Sequence, residues 1–246
     1  MLAGRKNIQM SVVETENVLL RCLSPAVREA VLAEAQLIFL DLREIIVEPK
    51  KPILHVDFPE KGVMSLLKPM EDGSLVEIAT IGNEGMIGIA LVMDVPAMDE
   101  LAFCQVEGSS LRIPAEAFCK LLKEYPELKS ICLRYSMVLA DQIARNMGCN
   151  RTHNVEERSA RWLLMTQDRC RSDQFSLTQE FLSAMLGVSR TGVNLAAGIL
   201  SKAGFISYVR GKISILDRVG LESVACPCYL LGREYQAHIM DHHSHS

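Results

Sequence analysis

The sequence predicts an α+β chain: an N-terminal β-roll, a long helix, and a C-terminal winged helix-turn-helix. Three observations carry that expectation. Up to about residue 115 the chain consists of short extended runs separated by turn signals. From residue 126 to 149 a helical pattern runs without glycine until Gly148. Beyond it, two short amphipathic segments flank Gly187 and are followed by a glycine-containing hairpin pattern. The corresponding segments are 1–125 for the roll, 126–152 for the long helix, and 153–246 for the last domain and its C-terminal tail.

The 246 residues suffice for two domains with their own cores, and a composition of 49% hydrophobic but only 5% aromatic residues suits a soluble protein with an aliphatic interior. No run approaches the ~18 consecutive apolar residues of a membrane span. Arg5 and Lys6 are followed by Asn7, Gln9, Ser11, Glu14 and Glu16, which leaves no apolar leader core. A cytoplasmic protein is expected. Its eight scattered cysteines then read as reduced, mostly buried thiols. Net charge is −4 but unevenly placed. Residues 1–150 carry 15 Lys and Arg against 21 Asp and Glu, a balance of −6; residues 151–218 carry 10 against 6, a balance of +4. The basic segment suits a nucleic-acid contact.

Taken in order, residues 17–36 read as helix. Extended runs follow at Ile45–Val47, Ile53–Val56, Val63–Leu67 and Leu75–Ile81, broken at Glu48-Pro49, Phe58-Pro59 and Glu71-Asp72-Gly73. Ala115–Leu122 is a short helix. On the long helix, positions 128, 132, 135, 139, 142 and 146 advance alternately by 4 and 3, the coiled-coil spacing. Leu128, Cys132, Tyr135, Leu139, Gln142 and Asn146 form that candidate dimerisation seam. Ile131, Met137, Val138 and Ile143 make other faces apolar as well, so a helix buried within its own subunit stays open. A third helix follows Asn154, with Trp162 expected in a small core, and 168–174 reads as a loop.

The most informative stretch is Leu177–Phe205. Thr178 can cap a helix whose inner face is Phe181, Leu182, Met185 and Leu186; Gly187 can end it; Ser189 can cap a second helix with Val193, Ala196, Ala197 and Leu200 inward. A second helix of this kind enters the DNA major groove N-terminus first. Arg190 can fork onto guanine, Asn194 can pair with adenine, and Thr191 can meet a thymine methyl or a phosphate. Thr178 and Gln179, at the start of the first helix, are placed to hold phosphate, and Ser189, at the start of the second, is a further candidate DNA contact. The hairpin Ile206–Leu216 turns at Arg210-Gly211-Lys212, a basic tip for further phosphate contact by Arg210 and Lys212.

The segment from about Asn154 to Glu222 closely resembles the winged helix of the Crp/Fnr superfamily of bacterial transcription regulators. Its pattern is met by Leu177–Glu180, Gly187–Arg190, Val193 and Gly204–Ile206. More faintly, the N-terminal half resembles that family's cyclic-nucleotide-binding-like jelly roll, and 126–149 its dimerisation helix. The resemblance implies a homodimer reading a two-fold operator. Double-stranded DNA and a second copy are the partners it implies; RNA polymerase and an unidentified small-molecule effector are compatible with it, and no cofactor, metal or membrane is implied. In members that bind cyclic nucleotide, a Gly-Glu turn meets the ribose and a downstream Arg-Ser pair clamps the phosphate. Glu84 and Gly85 resemble the turn and are the candidate effector pocket, but Glu100 and Leu101 stand where Arg and Ser would fall. A carboxylate there repels phosphate, so response to cyclic AMP is not expected. With a single N-terminal cysteine, Cys22, an iron–sulfur cluster of the family's oxygen sensors is not expected either. Thr191 and Leu195 replace a Glu and an Arg of the family's activator branch, which implies a different operator.

Cys226-Pro-Cys228, with His238, His242, His243 and His245 downstream, does not have the spacing of common zinc modules and reads as a structural or inert pair. An enzyme is not expected. A metal-holding barrel would need several converging histidines, and residues 1–115 contain only His55; no nucleophile-elbow, phosphate-loop or His-Glu-x-x-His motif occurs. The other reading that remains is a ligand-gated switch built on the roll.

Overall fold

The computed structural model describes residues 14–241. The residues from Arg5 to Ser11 that argue against a leader, and the terminal His242, His243 and His245, lie outside the described residues. Contacts divide the chain into two compact units: Met1–Met64 with Ile81–Ser136, and Ser65–Thr80 with Met137–Ser246.

The first unit begins with α1 (Val18–Arg21) and α2 (Pro25–Ala33) rather than one helix over 17–36. Pro25 cannot donate a backbone hydrogen bond and therefore starts a helix instead of continuing one. Asn17 caps α1 through Leu19 and Leu20 N–H, while its amide donates to the Pro59 and Gly85 carbonyls at 3.0 and 2.9 Å. Of the expected helix only its last residue, Gln36, falls in β1 (Gln36–Leu40), which is drawn into a sheet by pairing with a distant strand. β2 (Ile45–Val47), β3 (His55–Pro69) and β4 (Leu75–Ile81) follow, then a single 3-10 turn at Ile89–Met93 and β5 (Leu101–Pro114). β1 and β2 both pair antiparallel with β5, which neighbours β3, and β4 follows β3.

Two runs expected as separate, Ile53–Val56 and Val63–Leu67, belong mostly to the single strand β3, which continues through Phe58-Pro59. The local turn signal loses to long-range strand pairing. α3 (Ala115–Glu124) closes the unit with the first turns of α4 (Pro126–Thr152). Phe58 meets Phe118 edge to face, centroids 6.0 Å apart, among buried Leu20, Val56, Val63, Leu111 and Ile113. Each such side chain contributes about 1.5–3 kcal/mol of burial. Asp57, fully enclosed, is held by a two-pronged pair with Arg112 at 3.0 and 3.2 Å.

The second unit contains the hairpin of residues 65–80, the remainder of α4, and α5 (Val155–Cys170), which opens on an Asn154/Glu157 capping box. Then come β6 (Gln174–Ser176), α6 (Gln179–Leu186), α7 (Arg190–Lys202), β7 (Ile206–Val209), β8 (Lys212–Ile215), α8 (Arg218–Val224) and α9 (Cys228–Asp241). Beyond the winged helix the chain thus continues into helix α9. Its Tyr229 is buried, with the hydroxyl 2.7 Å from Asp168 and 2.6 Å from Arg218. Trp162 is buried in this unit and donates to Glu77 at 3.1 Å; Ser65 donates to the other Glu77 oxygen at 2.8 Å. Gln142 donates to the Thr80 carbonyl and Asn146 to that of Ile78, at 3.0 and 2.8 Å.

These contacts correct the expected seam on α4. Leu128, Cys132, Tyr135 and Leu139 are buried inside their own chain, and Gln142 and Asn146 are engaged by hydrogen bonds. The stripe left open lies roughly one position further round the helix: Leu133, Met137, Ala140, Ala144 and Met147, all exposed. It keeps the 4-3-4-3 spacing.

Among the described residues, no helix is long and apolar enough to cross a membrane.

Candidate nucleic-acid interface

α6 starts where its sequence says it should. Thr178 is extended, and its hydroxyl accepts from the Phe181 N–H at 3.2 Å, satisfying one of the helix's unpaired donors. Gly187 ends the helix at φ 62°, a left-handed conformation that glycine adopts without cost. The turn is then clasped: Ser183 donates to the Val188 carbonyl at 2.7 Å while Val188 N–H returns to the Ser183 carbonyl at 3.1 Å. From α5, the buried Arg158 guanidinium donates to the Leu186 carbonyl. Ser189 caps α7 by accepting from Gly192 N–H at 3.2 Å. That cap uses an oxygen lone pair of Ser189 and leaves its O–H to donate.

The inward face of α7 is Val193, Ala196, Ala197 and Leu200, packed with Leu182, Met185 and Leu186 of α6 in the buried interior. Small alanines let the two helices approach closely. Outward on α7 stand Arg190, Thr191 and Asn194, all exposed. Arg190 and Asn194 are four residues apart and so share a face. Leu195, which by the resemblance stands where the activator branch has an Arg, is 63% exposed beside Asn194. That exposure was legible in the period, since Leu195 falls on the outer side while Ala196 and Ala197 turn inward.

β7 and β8 pair in register, Val209 opposite Lys212, leaving a two-residue loop. Arg210 and Gly211 take φ values of 51° and 77°, the paired positive angles of the turn whose twist matches that of a hairpin. Leu177 N–H donates to the Gly211 carbonyl at 2.7 Å, and the Tyr208 hydroxyl donates to the Leu177 carbonyl at 2.9 Å. The hairpin tip is thereby strapped to the start of α6. An open groove results, lined by Thr178, Gln179, Tyr208, Arg210 and Gly211. A helix N-terminus, a guanidinium and three polar side chains together suit a phosphate oxygen. Three of the expected phosphate contacts thus converge, with Tyr208 added; Lys212 is exposed in β8 next to the turn but does not line the groove.

Glu84 and Gly85 lie in the first unit. The Glu84 carboxylate accepts from Gly82 N–H at 3.1 Å within its own turn, and Gly85 N–H returns to the Gly82 carbonyl at 3.1 Å. Gly85 presses against α4 so closely that a Cβ would stand 2.1 Å from the Tyr135 hydroxyl oxygen. Here the turn acts as packing between loop and helix.

Residues 157–224 match the model of the Crp-like helix-turn-helix domain. A comparison with curated proteins returns no match. Among solved structures, the chain is similar in fold to FixK2 from Bradyrhizobium japonicum (TM-score 0.65, 16% identity, 78% of this chain and 98% of that one). It is also similar to TTHB099, a Crp-family transcriptional regulator from Thermus thermophilus (TM-score 0.64, 17% identity, 76% and 96%). A third likeness is to a protein described as a Crp/Fnr-family regulator from Eubacterium rectale (TM-score 0.64, 16% identity, 84% and 97%). Residues 157–224 thus carry a Crp-like helix-turn-helix domain, and the chain shares its fold with these solved structures.

Proposed function

We propose that this chain, a transcription regulator of the Crp/Fnr type with a helix-turn-helix DNA-binding domain, binds a two-fold symmetric operator as a homodimer in the cytoplasm. The observation that carries the reading is the outward face of α7, where Arg190, Thr191 and Asn194 stand exposed at the end of a helix capped by Ser189. In the proposed complex Arg190 donates its fork to guanine O6 and N7, Asn194 pairs with an adenine edge, and Leu195 packs on a thymine methyl. Thr178, Gln179, Tyr208 and Arg210 cradle a backbone phosphate, and Lys212 meets a neighbouring one. These contacts fix register; those of α7 choose sequence.

The second copy docks along Leu133, Met137, Ala140, Ala144 and Met147. This stripe is exposed, apolar and spaced for knobs-into-holes packing, with alanines allowing close approach. RNA polymerase is a further partner consistent with this type of regulator. Cyclic AMP is not the effector in this reading. Glu100 and Leu101 supply no phosphate clamp, and Gly85 is packed against Tyr135. A ligand-gated switch would still use the roll, through a different small molecule that favours one arrangement of the DNA-binding units.

Selection of bound duplexes from a random pool tests the proposal. The expected result is an enriched palindrome with half-sites about 10 bp apart. Enrichment of an asymmetric site, or of none, overturns it.

A further inference from the structure

Four metal-ligating side chains meet at the end of α4, none of them among the residues of the α7 face or the phosphate groove. Cys149 and His153, four residues apart, come from the last turn of that helix and the residue after it. Cys226 and Cys228 come from the α8–α9 connection and the first residue of α9. One ligand atom from each, three sulfurs and an imidazole nitrogen, all lie within 4.8 Å of one another. Cys149 Sγ is 3.4 Å from Cys226 Sγ, and Cys228 Sγ is 3.9 Å from His153 Nδ1. The Cys226-Pro-Cys228 pair is therefore not isolated: its partners come from more than 70 positions earlier in the chain.

We propose that Cys149, His153, Cys226 and Cys228 bind one zinc ion in a tetrahedral site that ties α9 to the end of α4. A zinc–sulfur bond of about 2.3 Å puts tetrahedral ligands about 3.8 Å apart, close to the separations found. An iron–sulfur cluster would interpose further iron and sulfide atoms and spread its ligands wider. Sulfur and imidazole ligands exclude magnesium and calcium, which take oxygen. Four protein ligands leave no open position, so the site is structural. As each sulfur bonds the metal its thiol proton passes to solvent, and no electron is transferred.

The surroundings suit the charge. Three thiolates and a divalent ion leave one net negative charge, and Arg158 and Arg161 place positive charge next to the sulfurs. Both arginines are buried, and each has an Nε–H without a hydrogen-bond partner among the described residues. Cys149 and Cys226 are buried while His153 and Cys228 are half-buried, so an ion can enter from the solvent side. Cys226 N–H donates to the Glu157 carbonyl at 3.3 Å, which holds the loop in place.

The test is elemental analysis and cobalt substitution on the full-length protein, purified under reducing conditions. A variant with His242→Ala, His243→Ala and His245→Ala removes the terminal histidines as an adventitious site. The proposal expects one zinc per chain in both proteins. With Co²⁺ it expects the thiolate charge-transfer band and intense visible bands of a tetrahedral site. Cys226→Ser and Cys228→Ser should each lower zinc content or affinity at least about tenfold, while Cys119→Ser should not. Cys228 is half-buried, so Cys228→Ser reads the site even if Cys226→Ser fails to fold. A chelator should lower the melting temperature of the parent but not of Cys228→Ser. Zinc lost with the terminal histidines yet kept in Cys228→Ser would overturn the proposal. So would metal-free protein joined by a Cys149–Cys226 disulfide, or an octahedral cobalt spectrum.

Discussion

Arg190 and Lys212 are both exposed cations of the DNA-binding unit, but they are mounted differently. Arg190 begins a helix whose opposite face is locked by Val193 and Ala197, so its fork is directed by a rigid element. Lys212 opens a short strand beside the hairpin turn, where a flexible stem carries a point charge. Arg190→Ala should therefore cost about 1–3 kcal/mol on the selected operator and leave binding to unrelated duplexes nearly unchanged. Lys212→Ala should weaken binding to all duplexes alike and reduce the salt slope by roughly one contact. Titrations at several salt concentrations decide between them: equal behaviour of the two variants on every duplex would erase the distinction between reading and positioning residues. The exposed placement of Arg190, Thr191 and Asn194 on one helix was legible in the sequence because a cap, a period and a turn glycine are all local signals. Tyr208 was not, since its groove forms only when the hairpin folds back onto Leu177.

At the scale of elements, α4 shows what a heptad pattern leaves undecided. The sequence offers apolar residues on several faces of this helix, and spacing alone cannot say which face the chain itself covers. Leu128, Cys132, Tyr135 and Leu139 are used internally, whereas Met137 and Met147 remain 55% and 71% exposed. If the proposed dimer forms along this stripe, Met137→Glu together with Ala144→Glu should convert it to monomer, seen by light scattering, with little loss of monomer stability. Leu139→Ala should do the reverse, lowering the melting temperature at a cost of about 2–5 kcal/mol while dimerisation persists. A monomeric Leu139→Ala protein, or a dimeric double-Glu protein, would return the interface to the internal stripe.

On the scale of the whole molecule, Glu77 links pH to stability. Burial beneath Trp162 pushes its carboxyl up to about 7, against the pull of Ser65, Trp162 and two arginines. In the unfolded chain the carboxyl titrates at its ordinary value of 4.5. The folded state therefore holds its proton more tightly. The stabilisation is complete below about pH 4.5 and is lost as pH rises to about 7, by on the order of 1–3 kcal/mol. Glu77→Gln, which stays neutral, should flatten the difference in melting temperature between pH 5 and pH 8. An unchanged slope in that variant would assign the pH dependence elsewhere, with buried Asp57, also raised by desolvation, the next group to examine.

The sequence by itself determined the elements that depend on neighbours in the chain: two capped helices about Gly187, a basic two-residue hairpin, and a long helix beginning at Pro126. Caps, turns and periodicity act over a few residues, so their signals survive without tertiary context. Only the tertiary structure decided which face of α4 is left open, how β3 runs through Pro59, and that Cys149 and His153 lie against Cys226 and Cys228. Each of these depends on partners tens of residues away. The physical reason is that burial and strand pairing are settled by what the folded chain brings into contact.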